Sequence, residues 1–196
     1  MSMRTATVER KTAETNIKLI LNLDGNGHGV IDSGIGFFDH MLNLMTSHGL
    51  MDLTLACDGD IDVDGHHSVE DIGIALGDAF KKAIGDKKGI RRYGTFYLPM
   101  DEALAFVSLD ISGRPYLVYE GGEMAPMIGG FDTELTEEFL RAFAVHAGIT
   151  LHVRVLYGKN SHHKVEAIFK ALGHALRIAV EDDPRVEGIP STKGSL

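Results

Sequence analysis

The chain repeats itself. "GHHSVE" at Gly65 to Glu70 returns as "SHHKVE" at Ser161 to Glu166, so that His66 and His67 meet His162 and His163 at a shift of 96 positions, and Glu70 meets Glu166. The same shift aligns Thr54-Leu55 with Thr150-Leu151, Val69 with Val165, Leu76-Gly77 with Leu172-Gly173 and Ala79 with Ala175. An internal duplication constrains a fold more than any composition can, because the second half must build what the first half builds. At 196 residues the whole is the size of one large domain or of two small halves sharing a core.

The pattern of each half agrees. "RTATVERKT" and "TNIKLILNLD" alternate as two strands joined through Ala13 and Glu14, and "DGNGHG" follows as a glycine-rich turn. "FFDHMLNLMTSHG" places Phe38, Leu42 and Met45 at helical spacing and ends on Gly49 as a cap. "MDLTLACDGD" reads as a strand. From Ser68, "SVEDIGIALGDAFKKAIG" puts Val69, Ile72, Leu76, Phe80 and Ala83 on one helical face and stops at Gly85, with the histidine pair at its start. The second half offers strands in "RRYGTFYLPM", "EALAFVSLDI", "RPYLVYEGG" and "ITLHVRVLYG", and helices in "TELTEEFLRAFAVHAG" and "HKVEAIFKALGHALRIAVE". The expectation is α/β (α+β), one domain over residues 1–196 made of two fused repeats, about 4–90 and 91–185, with a tail at 186–196. "GDKKGIRRYG" between the halves is too short for more than a turn.

A slip of two residues extends the repeat to the preceding helices, where His48 meets His146, Leu42 meets Leu140 and His40 meets Glu138. The first repeat then offers His40, His66, His67 and Glu70, and the second Glu138, His162, His163 and Glu166. Successive side chains on a helix stand about 100° apart, so adjacent histidines cannot aim at one point. They suit two metal centres, or two subunits. Imidazole and carboxylate without sulfur fit Mn²⁺, Fe²⁺, Zn²⁺ or Ni²⁺. A lone His-His pair at a helix start is usually a matter of capping and packing, but two copies in register are not. His28 in a turn, His152 on a strand and His174 on the solvated part of a helix read as structural or surface residues. His48 and His146 sit at helix C-termini, where positive charge is favoured in any case.

A second group is basic. Arg92, Arg114 and Lys193 each lie beside glycine or proline, where backbone can approach an anion, although each alone reads as a surface charge. The net charge of −9 and pI near 5.5 exclude a broad face for nucleic acid or anionic lipid. Cys57 is the only cysteine, which excludes an internal disulfide and a thiolate metal cluster. The N-terminal stretch "MSMRTATVERKTAETN" shows no apolar core flanked by a basic end, so no export signal is expected, and no window approaches the ~20 apolar residues of a membrane span. A cytoplasmic protein is expected.

"GIGFFDHML", "DGHHSVEDIGIALG", "SGRPY", "SHHKVEAIFKALGHALR" and "IPSTKG" together resemble the imidazoleglycerol-phosphate dehydratases, which remove water from imidazole glycerol phosphate on the way to histidine. The resemblance runs from about Arg4 to the C-terminus and is to the monofunctional form. It implies helices packed between two sheets, a homo-oligomer of twenty-four subunits, and two Mn²⁺ ions per active site at contacts between subunits. Matched by position, the metal ligands would be His40, His66, His67, Glu70, Glu138, His162, His163 and Glu166. Glu138 departs from the pattern, since that place is usually histidine.

The resemblance also assigns Glu14 and Glu166 to proton transfer, and Arg92, Arg114, Ser191 and Lys193 to a phosphate clamp with Lys170 nearby. Substrate would further meet His40, His48, His66, Glu70 and His162, and the tail would be part of its site. The proton to be removed has no carbonyl beside it, so the family's route runs through a metal-stabilised imidazolate and a diazafulvene-like intermediate to an enol, which becomes imidazole acetol phosphate. Two other classes use similar ligands. A metallohydrolase would need no Glu14, and a non-catalytic metal-dependent assembly protein would not bring Arg92, Arg114 and Lys193 together.

Overall fold

Burial alternates strictly along Thr15–Asn22, with Ile17, Leu19 and Leu21 inward and Asn16, Lys18 and Ile20 outward, and this period of two makes the segment a strand with one face on a core. In the computed structural model, which describes residues 4–194 and 196, it is β2, antiparallel to β1 (Thr5–Lys11). β3 (Gly29–Asp32), α1 (Gly36–Gly49), β4 (Asp52–Gly59) and α2 (His66–Ile84) complete the first half. Its sheet runs β1-β2-β4-β3, with β4 antiparallel to β2 and parallel to β3.

The second half repeats the plan. It contains β5 (Tyr93–Met100), β6 (Ala103–Asp110), β7 (Tyr116–Glu120), a two-residue hairpin of β8 (Met127–Ile128) and β9 (Phe131–Asp132), α3 (Leu135–Ala147), β10 (Thr150–Tyr157) and α4 (Ser161–Val180). Its sheet runs β5-β6-β10-β7, again closing on a parallel edge strand. The hairpin and β3 are absent from the sequence reading. β3 has only four residues, none of them fully buried, so it carries little alternation to detect.

The helices lie between the two sheets and cross between the repeats. α2 packs on β1 and β2 and α4 on β5 and β6, while α1 packs on α4 and α2 on α3. The close approach depends on the aligned glycines. A Cβ on Gly77 would stand 2.8 Å from the Phe143 carbonyl oxygen of α3, and one on Gly173 would stand 3.0 Å from the Gly49 nitrogen of α1. Gly49 is therefore a packing residue, and the left-handed cap of α1 falls instead on Leu50, at φ 50°. Phe38 of α1, Phe139 of α3 and Phe169 of α4 meet at the centre, with ring centroids 5.2 Å and 5.4 Å from Phe139. This shared aromatic contact ties helices of both repeats into one core.

Both histidine pairs lie inside the first turn of their helices. α2 begins two residues ahead of the expected Ser68, with Asp64 Oδ1 accepting from the His66 amide at 2.8 Å. α4 begins at Ser161, where Asn160 caps the amides of His162 and His163. No helix among the described residues is long and apolar enough to cross a membrane.

Candidate active site

Because α1 packs on α4, His40 of the first repeat meets candidate ligands of the second. The His40 and His162 imidazoles and the Glu166 carboxylate offer one atom each, all within 4.8 Å of one another. His162 Nε2 is 3.0 Å and His40 Nε2 3.6 Å from Glu166 Oε2. The other oxygen, Oε1, accepts from Lys170 Nζ at 2.5 Å. Burial drives the Glu166 carboxyl upward, but Lys170 and then His162 outweigh it and hold it below the ordinary carboxylate value. The result is a buried, ionised carboxylate between two half-exposed imidazoles. Two nitrogens and an oxygen, without sulfur and open on one side, fit a divalent metal that keeps positions for substrate.

This grouping joins the two repeats. His40 comes from the first and His162 and Glu166 from the second, because the helices pair across the duplication. Glu138 on α3 takes the place opposite α2 that His40 takes opposite α4, and it is half-buried, as are His66 and Glu70. Those three do not form a second tight group among the described residues. His66 instead lines a cavity of about 430 Å³ with Phe37, Asp64 and Phe131.

The second histidine of each pair turns away, as the helical angle requires. The His66 and His67 rings stand 6.2 Å apart at 90°, and those of His162 and His163 6.3 Å apart at 81°. His67 Nδ1 lies 2.9 Å from Asp60 Oδ2, and His163 Nδ1 2.7 Å from Glu102 Oε2. These hydrogen bonds raise both imidazoles above their ordinary value. The Asn160 amide, followed by His163 and the Lys159 amide, pushes Glu102 down to about 2. Glu14, exposed in the β1–β2 turn, contributes to the field on His67.

His174 is half-buried rather than solvated. It stacks on Phe96 at 4.1 Å, and its Nε2 is 3.2 Å from His48 Nδ1. At the matching place in the other helix pair His146 Nδ1 meets Asp78 at 3.1 Å, so the duplication has kept the contact and changed its chemistry.

The basic residues converge elsewhere. Arg92, Arg114, Ser191 and Lys193 line one cleft of about 670 Å³, together with Tyr93 and Pro190. Arg92, at φ 72°, is already engaged. It forks onto Asp110 at 2.7 Å and 3.1 Å and donates to the Pro190 carbonyl at 2.8 Å, which fastens the tail to the cleft. The Arg114 guanidinium is exposed and stands 3.9 Å from the same Asp110 carboxylate, and Lys193 lines the cleft beside it. Lys170 does not line this cleft; its ammonium is bound to Glu166. Sequence reasoning missed Asp60, Glu102 and Asp110. Each is an acid at a strand end or turn with no distinguishing pattern in the sequence, and only the histidine or arginine it faces in space marks it out.

An imidazole–carboxylate centre on a duplicated sheet-and-helix scaffold, with a separate cationic cleft, defines an enzyme with both a metal-fitting and an anion-fitting site. The sequence model described as imidazoleglycerol-phosphate dehydratase matches residues 33–176. The Clostridium botulinum (strain Kyoto / Type A2) imidazoleglycerol-phosphate dehydratase is 63% identical over 191 residues, 97% of each chain. That of Caldanaerobacter subterraneus subsp. tengcongensis is 61% identical over 99% of this chain and all of its own. The crystal structure of the Staphylococcus aureus enzyme superposes with a TM-score of 0.83 at 42% identity, covering 91% of this chain and 99% of that one. A Pyrococcus furiosus structure, solved in complex with (S)-C348, gives 0.83 at 35% identity over 96% and 100%. The chain belongs to the imidazoleglycerol-phosphate dehydratase family, hydro-lyases of histidine biosynthesis.

Proposed function

We propose that this chain dehydrates imidazole glycerol phosphate to imidazole acetol phosphate with two Mn²⁺ ions per active site, in cytoplasmic homo-oligomers of twenty-four subunits whose sites lie between subunits. The observation that carries the metal is the grouping of His40, His162 and Glu166 within 4.8 Å. His66, Glu70 and Glu138 would hold the second ion from the α2–α3 side. His67 and His163 aim away from their neighbours and would supply ligands across a subunit boundary. Bound Mn²⁺ would supply Lewis-acid stabilisation of negative charge on the substrate's imidazole ring.

The chain's own groups divide the remaining work. Arg114 and Lys193, with Ser191 and the Arg92-fastened tail, hold the phosphate, a group that does not react and so positions the one that does. Glu14 exchanges the proton at the carbon beside the leaving hydroxyl, since its carboxylate is exposed while its turn is held. Glu166 has one oxygen on Lys170 and the other beside two imidazoles, which favours ligation over proton transfer. His48, bound to His174 on the α1–α4 contact, would meet substrate only at the edge of this site.

The test is direct. Purified protein with Mn²⁺ and imidazole glycerol phosphate should generate the ketone's absorbance, and a chelator should abolish it and lower the assembly's mass in sedimentation. A chelated sample that stays assembled and active would end the shared-metal reading.

A further inference from the structure

In both halves a carboxylate grips the second histidine of the pair by Nδ1, and the two carboxylates are not related by the duplication. Asp60 follows β4, whereas Glu102 sits in the β5–β6 turn. A contact inherited through the repeat would come from matching positions. The two halves have instead reached one arrangement from different strands, and the arrangement has a specific chemical consequence. A carboxylate on Nδ1 fixes the neutral ring with its proton on that nitrogen, leaves the Nε2 lone pair free and aims it.

The geometry points to Asp60 and Glu102 as positioning residues that set the tautomer and direction of His67 and His163 for metal binding. This rests on the reading of those histidines as ligands. Glu102 is itself clamped, for Oε1 accepts from the Lys159 amide at 3.0 Å and the Asn160 amide at 2.7 Å, leaving Oε2 for His163. Asp101 Oδ2 lies 3.7 Å from His163 Nε2, beyond hydrogen-bond reach and on a largely exposed side chain. Asp60 also acts on the β1–β2 turn, where its amide donates to the Glu14 carbonyl at 3.1 Å while its carboxylate holds His67. One residue thereby links the turn of the proton-transfer carboxylate to a metal ligand.

The two sites predict unequal responses to the same change. In Glu102→Gln the Lys159 and Asn160 amides retain the side-chain oxygen, so the new NH₂ faces His163 Nδ1. That nitrogen must then accept, the ring proton moves to Nε2, and the ligating lone pair is lost. In Asp60→Asn the side chain can turn its oxygen to His67, because the buried Oδ1 has no partner among the described residues to hold it in one sense. Mn²⁺ titration of the metal-free full-length protein, read by electron paramagnetic resonance of the unbound ion, should show affinity falling ~10- to 100-fold in Glu102→Gln and less in Asp60→Asn. Nitrogen-15 NMR of the imidazoles should report the tautomer change at His163, and the metal-free variant should remain folded, with any loss of thermal stability too small to account for the weaker binding.

Wild-type affinity and tautomer in Glu102→Gln would overturn the proposal, as would a loss of metal-free stability large enough to account for the weaker binding. His163→Ala separates the two readings. If it binds Mn²⁺ as the parent does, the ligand assignment fails; if it loses metal while Glu102→Gln does not, the positioning role alone fails.

Discussion

Glu14 and Glu166 have the same functional group and opposite surroundings. Glu166 is buried, ionised and held on both oxygens, whereas Glu14 projects from a turn fixed by Thr12, whose hydroxyl accepts from the Glu14 and Thr15 amides at 3.1 Å and 3.0 Å. The Thr15 hydroxyl in turn donates to Asp71 of α2 at 2.5 Å, and Arg10 pairs with the same carboxylate at 2.7 Å. A rigid turn with a free carboxylate suits proton transfer. Glu14→Gln should therefore lower kcat by roughly 10²- to 10⁴-fold while Mn²⁺ affinity is unchanged, in steady-state assays beside metal titration. Loss of metal with unchanged turnover would reverse the assignment. The sequence made Glu14 visible only through the family resemblance, since an exposed acid in a hairpin carries no pattern of its own. Asp71, buried on α2, and Asp60, just after β4, hold its turn on either side, and neither is marked out by its place in the sequence.

At the scale of elements, strands and helices were legible because burial imposes periods of 2 and 3.6 on the side chains. The duplication was legible as well. Which helix pairs with which was not, because a sequence shift shows which positions correspond and says nothing about which of them touch. Hence candidate ligands that group by repeat in the sequence group across the repeats in the fold. Gly77 and Gly173 carried the missing information, as paired small residues mark where helices come closest. Gly77→Ala would place a methyl 2.7 Å from the His146 Cβ and 2.8 Å from the Ala147 nitrogen, mostly against backbone that cannot yield. Despite alanine's better helix propensity, it should destabilise by about 1–3 kcal/mol in chemical unfolding. Gly36→Ala, where nothing lies within 4 Å, should be neutral or stabilising.

For the whole molecule, the pH dependence of stability depends on which imidazoles folding makes more or less basic. Burial holds His48 and His174 below their ordinary value, reinforced by Lys170 for His48 and by His48 and Arg177 for His174. Below about pH 6.5 the unfolded chain takes protons that these two folded rings refuse, so their contribution falls with pH. His67 and His163, raised by their carboxylates, act in the opposite sense, and their contribution is lost as pH rises through their folded values. The difference between variants isolates the first pair. In metal-free protein, thermal unfolding from pH 8 to pH 5.5 should decline less steeply in His174→Gln than in the parent. An equal slope would remove the His48–His174 contact as an acid-sensitive element.

The crossed helix pairs also set an order of events during synthesis. His40 leaves the ribosome more than a hundred residues ahead of His162 and Glu166, the partners it meets across the α1–α4 contact. A nascent chain holding only its first half has one member of that group and cannot assemble the rest. The grouping of His40, His162 and Glu166 is thus withheld until translation is nearly complete, and a truncated product released early is left without it.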